Sequence, residues 1–388
     1  MKDSMDPLRL YQYWTPGKVI FGPNALDELR TEIGSREVPL LTTDEGVARS
    51  GILGKVADLL DKMGVQYHVF DRVESDPSLE VVEKAADAYL RYGCTLVIGM
   101  GGGSSIDVAK AVGIRCSQEG SLVEYAAGRP LEGRVFPLYA IPTTAGTGSE
   151  VTAVTIISDH KNKRKIPIRN PQLIPKVAIL DPLLLGTIPP KVAAETGADA
   201  LSHAIESYVG LGSHPITDAL ALAAIRMISQ NVVKFMANPG DVEVTGQMVL
   251  ASCMAGICFN SAGLGLVHSL AHPIGAHFHI PHGLACALYL SAVMEFNVSA
   301  RPEKFASIAD VMGQDIRGLQ REAAAERALF AVRDLLDRIG LPKKLSELGI
   351  QFHLDPRMVD DVLAAAPTGN NPRKADRAQI AQLFETAA

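Results

Sequence analysis

Apolar and polar positions in the first half of the chain alternate between short apolar runs and longer amphipathic stretches. Val19-Ile20-Phe21 closes at Gly22-Pro23-Asn24, after which the spacing predicts a helix over 25–33. An apolar run at 38–41 predicts a buried strand that ends at Thr42-Thr43-Asp44. Helical periodicity follows over 51–63 and 79–92, with strand-like runs over 65–70, 95–100 and 138–141. Strands alternating with helices of this length predict βαβ units and a mostly parallel sheet, whose ligands bind outside the carboxyl ends of the strands.

The pattern changes between Pro182 and Pro190, a stretch with three prolines beyond which strand-like runs give way to long Ala/Leu/Ile helices. The expected boundary divides an α/β domain over 1–186 from an all-helical domain over 187–388. Pro273 sits inside a helical pattern, where it removes a backbone donor, and predicts a bend or an end just after His272. The stretch 301–336 reads as a charged, helical, solvated outer layer. A further helix is expected over 355–366, then a turn over 368–373 before a last helix from 375.

Composition narrows the partners. A chain of 388 residues exceeds what one core usually serves. A formal charge of -6 and a pI near 5.9 give no basic field for nucleic acid or anionic lipid, which leaves small molecules. Five cysteines, an odd number with no Cys-x-x-Cys pair, suit a reducing compartment. The first six residues hold no apolar segment, and no uninterrupted apolar run reaches about 18 residues, so a cytoplasmic chain with no membrane association is expected.

Candidate chemistry concentrates in three places. Five of the ten histidines fall between His268 and His282, interleaved with Leu270, Ile274, Phe278 and Ile280. Neutral imidazole is the commonest metal ligand, so this buried-looking cluster points to a metal site. Asp199 and His203, four apart in a helical pattern, share a face, as do His268 and His272. A carboxylate and imidazoles from three elements can thus converge on one divalent cation.

The strand at 95–100 runs into Gly101-Gly102-Gly103-Ser104, with Asp107 three residues on. Three glycines admit a ligand close to the backbone, Ser104 and Asp107 are expected to cap the following helix, and its free N–H groups suit a pyrophosphate. The spacing is not the usual Gly-x-Gly-x-x-Gly. The loop from Pro142 to Thr152 places five hydroxyls and two glycines after another strand, which suits either a ribose or phosphate contact or an ordinary turn.

Five blocks, at 21–26, 101–110, 142–152, 197–206 and 263–283, together resemble the iron-containing (group III) alcohol dehydrogenase family, and the resemblance covers nearly the whole chain. It implies a Rossmann-like parallel-sheet domain followed by an all-helical metal-binding domain, in the dehydroquinate synthase-like fold. It implies NAD(H)-dependent interconversion of a small primary alcohol or diol and its aldehyde, with Fe²⁺ as Lewis acid, although the ligand set accepts Zn²⁺ as readily. Asp199, His203, His268 and His282 match the family's four metal ligands, and His272 matches its histidine near substrate and nicotinamide, the candidate proton relay. His277 and His279 fall outside that pattern and are expected to be pocket-wall or supporting residues. Gly102, Gly103, Ser104 and Asp107 match the pyrophosphate turn, while Thr143, Thr144 and Ser149 match the nicotinamide-ribose loop. Asp44 matches the acid on the adenosine ribose, which favours NAD over NADP by repelling a 2′-phosphate.

Two departures are Asp76 and Ser261, where close relatives often have Asn. Val154, Phe259 and Pro367 match pocket positions and are apolar, which suggests a short or medium alcohol over a charged sugar acid. The strand near Val19 matches the part that pairs across a dimer, so a homodimer or higher homo-oligomer is expected. Glycerol dehydrogenase-like and maleylacetate reductase-like relatives are alternatives that the Asp199 and three-histidine set argues against. Retention of His272 argues further against a non-catalytic NAD- or metal-binding protein.

Overall fold

A computed structural model describes residues 10–162 and 164–388; the first six residues, read above for their lack of an apolar segment, lie outside it. The chain divides into two compact units. One comprises Trp14–Ile188 with Pro239–Val249, the other Pro189–Asn238 and Leu250–Ala388 with the described residues before Trp14.

The first unit holds eight strands among the described residues: β1 (Lys18–Phe21), β2 (Pro39–Thr42), β3 (His68–Phe70), β4 (Leu96–Gly101), β5 (Leu138–Pro142), β6 (Val154–Asp159), β7 (Arg164–Arg169) and β8 (Val177–Leu180). Six form a parallel sheet in the order β1-β8-β5-β4-β2-β3. The inner strands β2, β4, β5 and β8 are buried throughout, which is why their sequences read as continuous apolar runs without alternation. Register sets Gly101 beside Pro142 and Thr42 beside Gly99. The three polar loops after β2, β4 and β5 therefore open at the same edge of the sheet.

Two expectations for this unit need correction. The strand expected over 65–70 shortens to β3, because Val65 N–H bonds Leu60 C=O and closes the preceding helix, with Gly64 left-handed. The helix after the glycine turn, α1 (Gly103–Ser117), begins before Ser104, with Gly102 at its cap and no side-chain cap. Ser104 Oγ instead donates to Ser75 C=O at 2.7 Å, and Asp107 accepts from Ser149 Oγ at 2.6 Å and Ile156 N at 2.9 Å. The antiparallel pair β6–β7 was not anticipated. Its first strand follows the Ser/Thr-rich loop directly, and no Gly or Asn-Gly turn signal separates the strands.

In the second unit the main helices are α2 (Pro190–Val209), α3 (Leu266–Phe278) and α4 (His282–Asn297). α2 is buried along most of its length and packs against α4 and the helix Pro215–Ala237, as expected of a helix with no solvent face. Three helices, Pro215–Ala237, Val242–Ala262 and His282–Ala300, are long and apolar enough to cross a membrane by length and composition, and 39 to 61% of each apolar window is buried within the fold. α3 runs through Pro273 without ending. Leu266, Val267, Leu270 and Ile274 are all buried along it, and that packing outweighs the one lost backbone bond.

The stretch 301–336 is not a solvated layer. It forms Pro302–Val311 and Arg321–Arg338, which bury Phe305, Ile308, Ala325, Val332 and Leu335 and expose their charges apart from Lys304. Lys304 is itself buried, donating to Tyr208 C=O, Ser213 Oγ and Asp218 Oδ2 at 2.7 to 2.9 Å. The turn expected over 368–373 contains a short helix, Ala366–Asn370.

Beneath the glycine turn the first unit buries two ionisable groups, Lys110 and Glu150. Lys110 Nζ donates to Ser149 Oγ, Thr152 Oγ1 and Val154 C=O at 3.0, 3.2 and 2.7 Å, tying the loop after β5 to α1. Burial lowers its pKa to about 8, against the pull of Asp107 and Glu150. Glu150 is 2% exposed, and burial raises its pKa to about 7. An acid whose folded pKa lies above its unfolded value favours folding below the unfolded pKa, and that advantage is lost as pH rises through about 7. The size is on the order of 3 kcal/mol. Relative to the unsubstituted chain, Glu150→Gln should therefore be more stable at pH 8 and nearly equal at pH 5 by denaturant unfolding; a stability difference that does not change with pH would contradict this.

Candidate metal centre and cofactor site

α2 carries Asp199, His203 and Glu206 along one buried stripe, at spacings of four and three. His268 comes from the first turn of α3, and His282 opens α4. Close approach of α4 to α2 depends on Gly283, where a Cβ would stand 2.1 Å from Glu195 C=O. Any side chain there would push His282 away from Asp199.

The Nε2 atoms of His203, His268 and His282 each lie 3.7 Å from a single atom, Asp199 Oδ1. That is beyond hydrogen-bond reach. It is close to the ligand spacing of a metal shell, since four ligands with bonds of about 2.1 Å in a tetrahedron stand about 3.4 Å apart. Asp199 Oδ1 and His268 Nε2 are buried with no hydrogen-bond partner. Buried polar atoms left in this way carry a desolvation penalty that a shared cation removes. Asp199, His203 and His268 are nearly inaccessible, whereas the His282 side chain keeps 43% of its surface. The residues present fit a divalent ion.

Glu206 organises the site from behind. One of its oxygens accepts from Val267 N at 2.6 Å and the other meets His268 Nδ1 at 2.5 Å. The carboxylate thus takes an orphan N–H of the α3 start and keeps the His268 proton on Nδ1, leaving Nε2 to face Asp199. Asn371 Oδ1 takes the Leu266 N–H at 3.3 Å. Sequence reasoning assigned no role to Glu206, although its place three residues after His203 and seven after Asp199 put it on the same face. It also missed Cys286, one turn after His282, whose Sγ is 3.7 Å from His282 Nε2.

Charge follows geometry. Burial opposes ionisation of Asp199, but the imidazoles of His203, His282 and His268 outweigh it and hold the carboxyl below the usual range. Burial likewise opposes the imidazolium form of His268, but Cys286, Glu206 and Asp199 raise its pKa well above the ordinary value. The excess negative charge that draws protons here also draws a divalent cation.

The other candidates take the following places. His272 is half-buried one turn after His268, its ring 5.5 Å from that of His282 and 6.5 Å from that of His268. Phe259 stacks on His203 with centroids 4.4 Å apart, and Pro367 lies in the short helix whose Thr368 Oγ1 donates to Ser269 Oγ at 2.9 Å. His277 and His279 are exposed at the end of α3, with His279 left-handed at φ 55°. Neither supports His268, whose ring partner is Glu206.

In the first unit, Asp44 caps the helix after β2, accepting from Val47 N at 3.0 Å, and its other oxygen faces Ser105 Oγ at 3.4 Å. Gly101 has φ 144°, and a Cβ on it would meet Ser105 Oγ at 2.6 Å and Asp44 Oδ2 at 3.2 Å, so the turn and the acid are built together. Gly102, Gly103 and Ser104 form the start of α1, which has no side-chain cap, an arrangement whose free N–H groups suit an anion. Thr143 N bonds Gly101 C=O at 3.0 Å and Thr144 borders Gly102, which sets the hydroxyl loop against the turn. Asp107 and Ser149 bond each other and brace this loop. Val154 C=O accepts from Lys110. Asp76 bonds Lys165 and Ser158 and has His160 Nε2 at 3.5 Å, so its extra charge relative to Asn is balanced within β6–β7. Burial opposes ionisation of Asp76, but these partners lower its pKa.

Family models match both parts of the chain: iron-containing alcohol dehydrogenase over residues 16–182, and the C-terminal part of the Fe-containing alcohol dehydrogenase family over 193–388. The chain belongs to the iron-containing alcohol dehydrogenase family. It is 37% identical over 383 residues to a 1,3-propanediol dehydrogenase of Klebsiella pneumoniae, covering 98% of this chain and 99% of the relative. A solved 1,3-propanediol oxidoreductase superposes with a TM-score of 0.95 at 37% identity, covering 98% of this chain and all of the other. The sulfoacetaldehyde reductase of Bifidobacterium kashiwanohense, solved in complex with NAD+, gives 0.88 at 29% identity over 98% of this chain and 99% of that one. The family assignment makes the chain an NAD-dependent alcohol dehydrogenase, and the family implies a metal.

Glu206→Gln keeps the side-chain shape but cannot accept from both Val267 N and His268. Loss of such a supporting partner lowers metal affinity by about 10- to 100-fold. Chelator competition should show that drop with unchanged circular dichroism; an unchanged affinity would remove Glu206 from this role.

Proposed function

We propose that this dehydrogenase interconverts a short or medium primary alcohol or diol and its aldehyde, using NAD in preference to NADP and a divalent ion held by Asp199, His203, His268 and His282. The observation that carries the proposal is the convergence of three imidazole nitrogens on Asp199 Oδ1. The ion, Fe²⁺ by family and Zn²⁺ by equal suitability of the donors, supplies a Lewis acid that makes the alkoxide accessible near neutral pH.

The chain's own groups do the rest. Asp199 offsets part of the ion's charge and the neutral imidazoles leave a net positive centre, which favours an anionic substrate oxygen. Glu206 fixes the His268 ring. His272, half-buried beside the ligands, exchanges the alcohol proton with solvent. Phe259, stacked on His203, and Pro367, in the short helix bonded to Ser269, supply apolar surface that favours an uncharged alcohol.

At the cofactor, the α1 start with Gly102, Gly103 and Ser104 holds the pyrophosphate, and Thr143 and Thr144 hold the nicotinamide ribose. Asp107 and Ser149 position that loop. Asp44 accepts from the adenosine ribose hydroxyls and repels a 2′-phosphate. The sulfoacetaldehyde reductase solved with NAD+ supports the cofactor reading, and the 1,3-propanediol dehydrogenase relative supports a diol or short alcohol. The β1 edge, where Val19 and Phe21 are 39% and 44% exposed, supports a homodimer or higher homo-oligomer. Five free thiols support a cytoplasmic protein.

A panel of alcohols, diols and charged hydroxy acids, assayed with NAD+ and NADP+ after anaerobic loading with Fe²⁺ or Zn²⁺, tests the reading. Short alcohols or diols with NAD+ should give the highest kcat/KM, and His272→Ala should lower kcat while leaving metal content intact. No NADH formation with any alcohol would refute the function, and unchanged turnover in His272→Ala would refute the relay.

A further inference from the structure

Cys286 lies one helical turn beyond His282 on α4 and is buried, with its sulfur 3.7 Å from His282 Nε2. Its Sγ belongs to a group with Asp199, His268 and His282 in which all ligand atoms lie within 4.8 Å of one another. Two other members of that group, Asp199 Oδ1 and His268 Nε2, are buried without a hydrogen-bond partner. The sulfur lies within 4.8 Å of both. We propose that Cys286 is a further protein donor to the metal, so that this chain holds its ion with a thiolate beside the carboxylate and imidazoles. The inference rests on the metal reading above and sharpens which ions the site prefers.

The distances fit. A thiolate binds at about 2.3 Å and an imidazole at about 2.0–2.1 Å, so in a shell of five protein donors, with ligand angles of about 90–120°, neighbouring sulfur and nitrogen atoms stand about 3.1–3.8 Å apart. Other thiols in the chain settle on backbone: Cys116 Sγ donates to Ala86 C=O at 3.7 Å and Cys258 Sγ to Thr217 C=O at 3.3 Å. Cys286 instead points its sulfur at a ring nitrogen.

The donor's chemistry sets the consequence. Carboxylate and imidazole together admit many divalent ions, whereas a soft thiolate favours Zn²⁺ and Co²⁺ over hard ions such as Mg²⁺ and Mn²⁺. A second anionic donor beside Asp199 also offsets more of the ion's charge. Neither effect follows from the four-residue set alone.

Cobalt reports the donor directly. Loaded anaerobically with Co²⁺, the full chain should show d–d bands and a near-ultraviolet thiolate-to-cobalt charge-transfer band. Cys286→Ser and Cys286→Ala should keep the d–d bands and lose the charge-transfer band, with Zn²⁺ affinity by chelator competition falling on the order of tenfold. Cys253→Ser, which removes a thiol outside the group, should retain both. The serine change is nearly isosteric, and thermal melts of the variants establish that they fold. Cobalt d–d bands without a charge-transfer band in the unsubstituted chain, or a charge-transfer band that survives both substitutions, would overturn the role of Cys286. A lack of any d–d band in the unsubstituted chain would overturn the metal reading itself.

Discussion

A carboxylate buried inside a helix cannot remain alone, and Asp199 is the group on which the second unit depends. It sits on α2 with three imidazole nitrogens at equal distance from one oxygen, none close enough to hydrogen-bond. Isolated buried charge is costly, and neutral imidazoles alone do not satisfy it. A cation at the point they share satisfies all four groups together. The surrounding construction serves that point: Gly283 admits α4 to within contact of α2, Asn371 and Glu206 complete the start of α3, and Glu206 sets the ring of His268.

The first unit solves a different problem with backbone in place of side chains. Parallel register brings the ends of β2, β4 and β5 to one edge, so Asp44, the glycine turn and the hydroxyl loop lie side by side. The positive φ of Gly101 and the uncapped start of α1 leave N–H groups facing outward, which suits an anionic cofactor. Lys110, Asp107 and Ser149 form the buried brace that keeps the loop against α1. Of the polar side chains that look like cofactor contacts in the sequence, Asp107 and Ser149 serve as support.

Much of this was readable from residue spacing. The βαβ alternation, the helical second half, and the i, i+4 pairs at Asp199/His203 and His268/His272 all follow from periodicity, because each is local. What escaped the sequence depends on distant partners. Ser104 was read as a cap, yet its hydroxyl bonds Ser75 because α1 starts earlier. Pro273 was read as a bend or an end, and the end does not occur, because buried packing carries α3 through it. Glu206 was passed over because a carboxylate on a helix acquires meaning only when another helix brings an imidazole to it, whereas Cys286, four residues after His282 on one helix, was a local signal left unread. Charged residues over 301–336 suggested solvent, but an amphipathic helix and a buried Lys304 give the same composition.

The Asp199 cluster is built to be completed by one cation. Ligand that binds only the folded chain raises its stability in proportion to the logarithm of its concentration over Kd, about 2.7 kcal/mol at a hundredfold excess. Anaerobic titration with Fe²⁺ or Zn²⁺, followed by unfolding temperature and metal content, measures this directly. Uptake should saturate at one ion per chain with a clear rise in unfolding temperature, both absent from Asp199→Asn; no stoichiometric uptake, or an equal rise in Asp199→Asn, would rule out a cation shared by these groups.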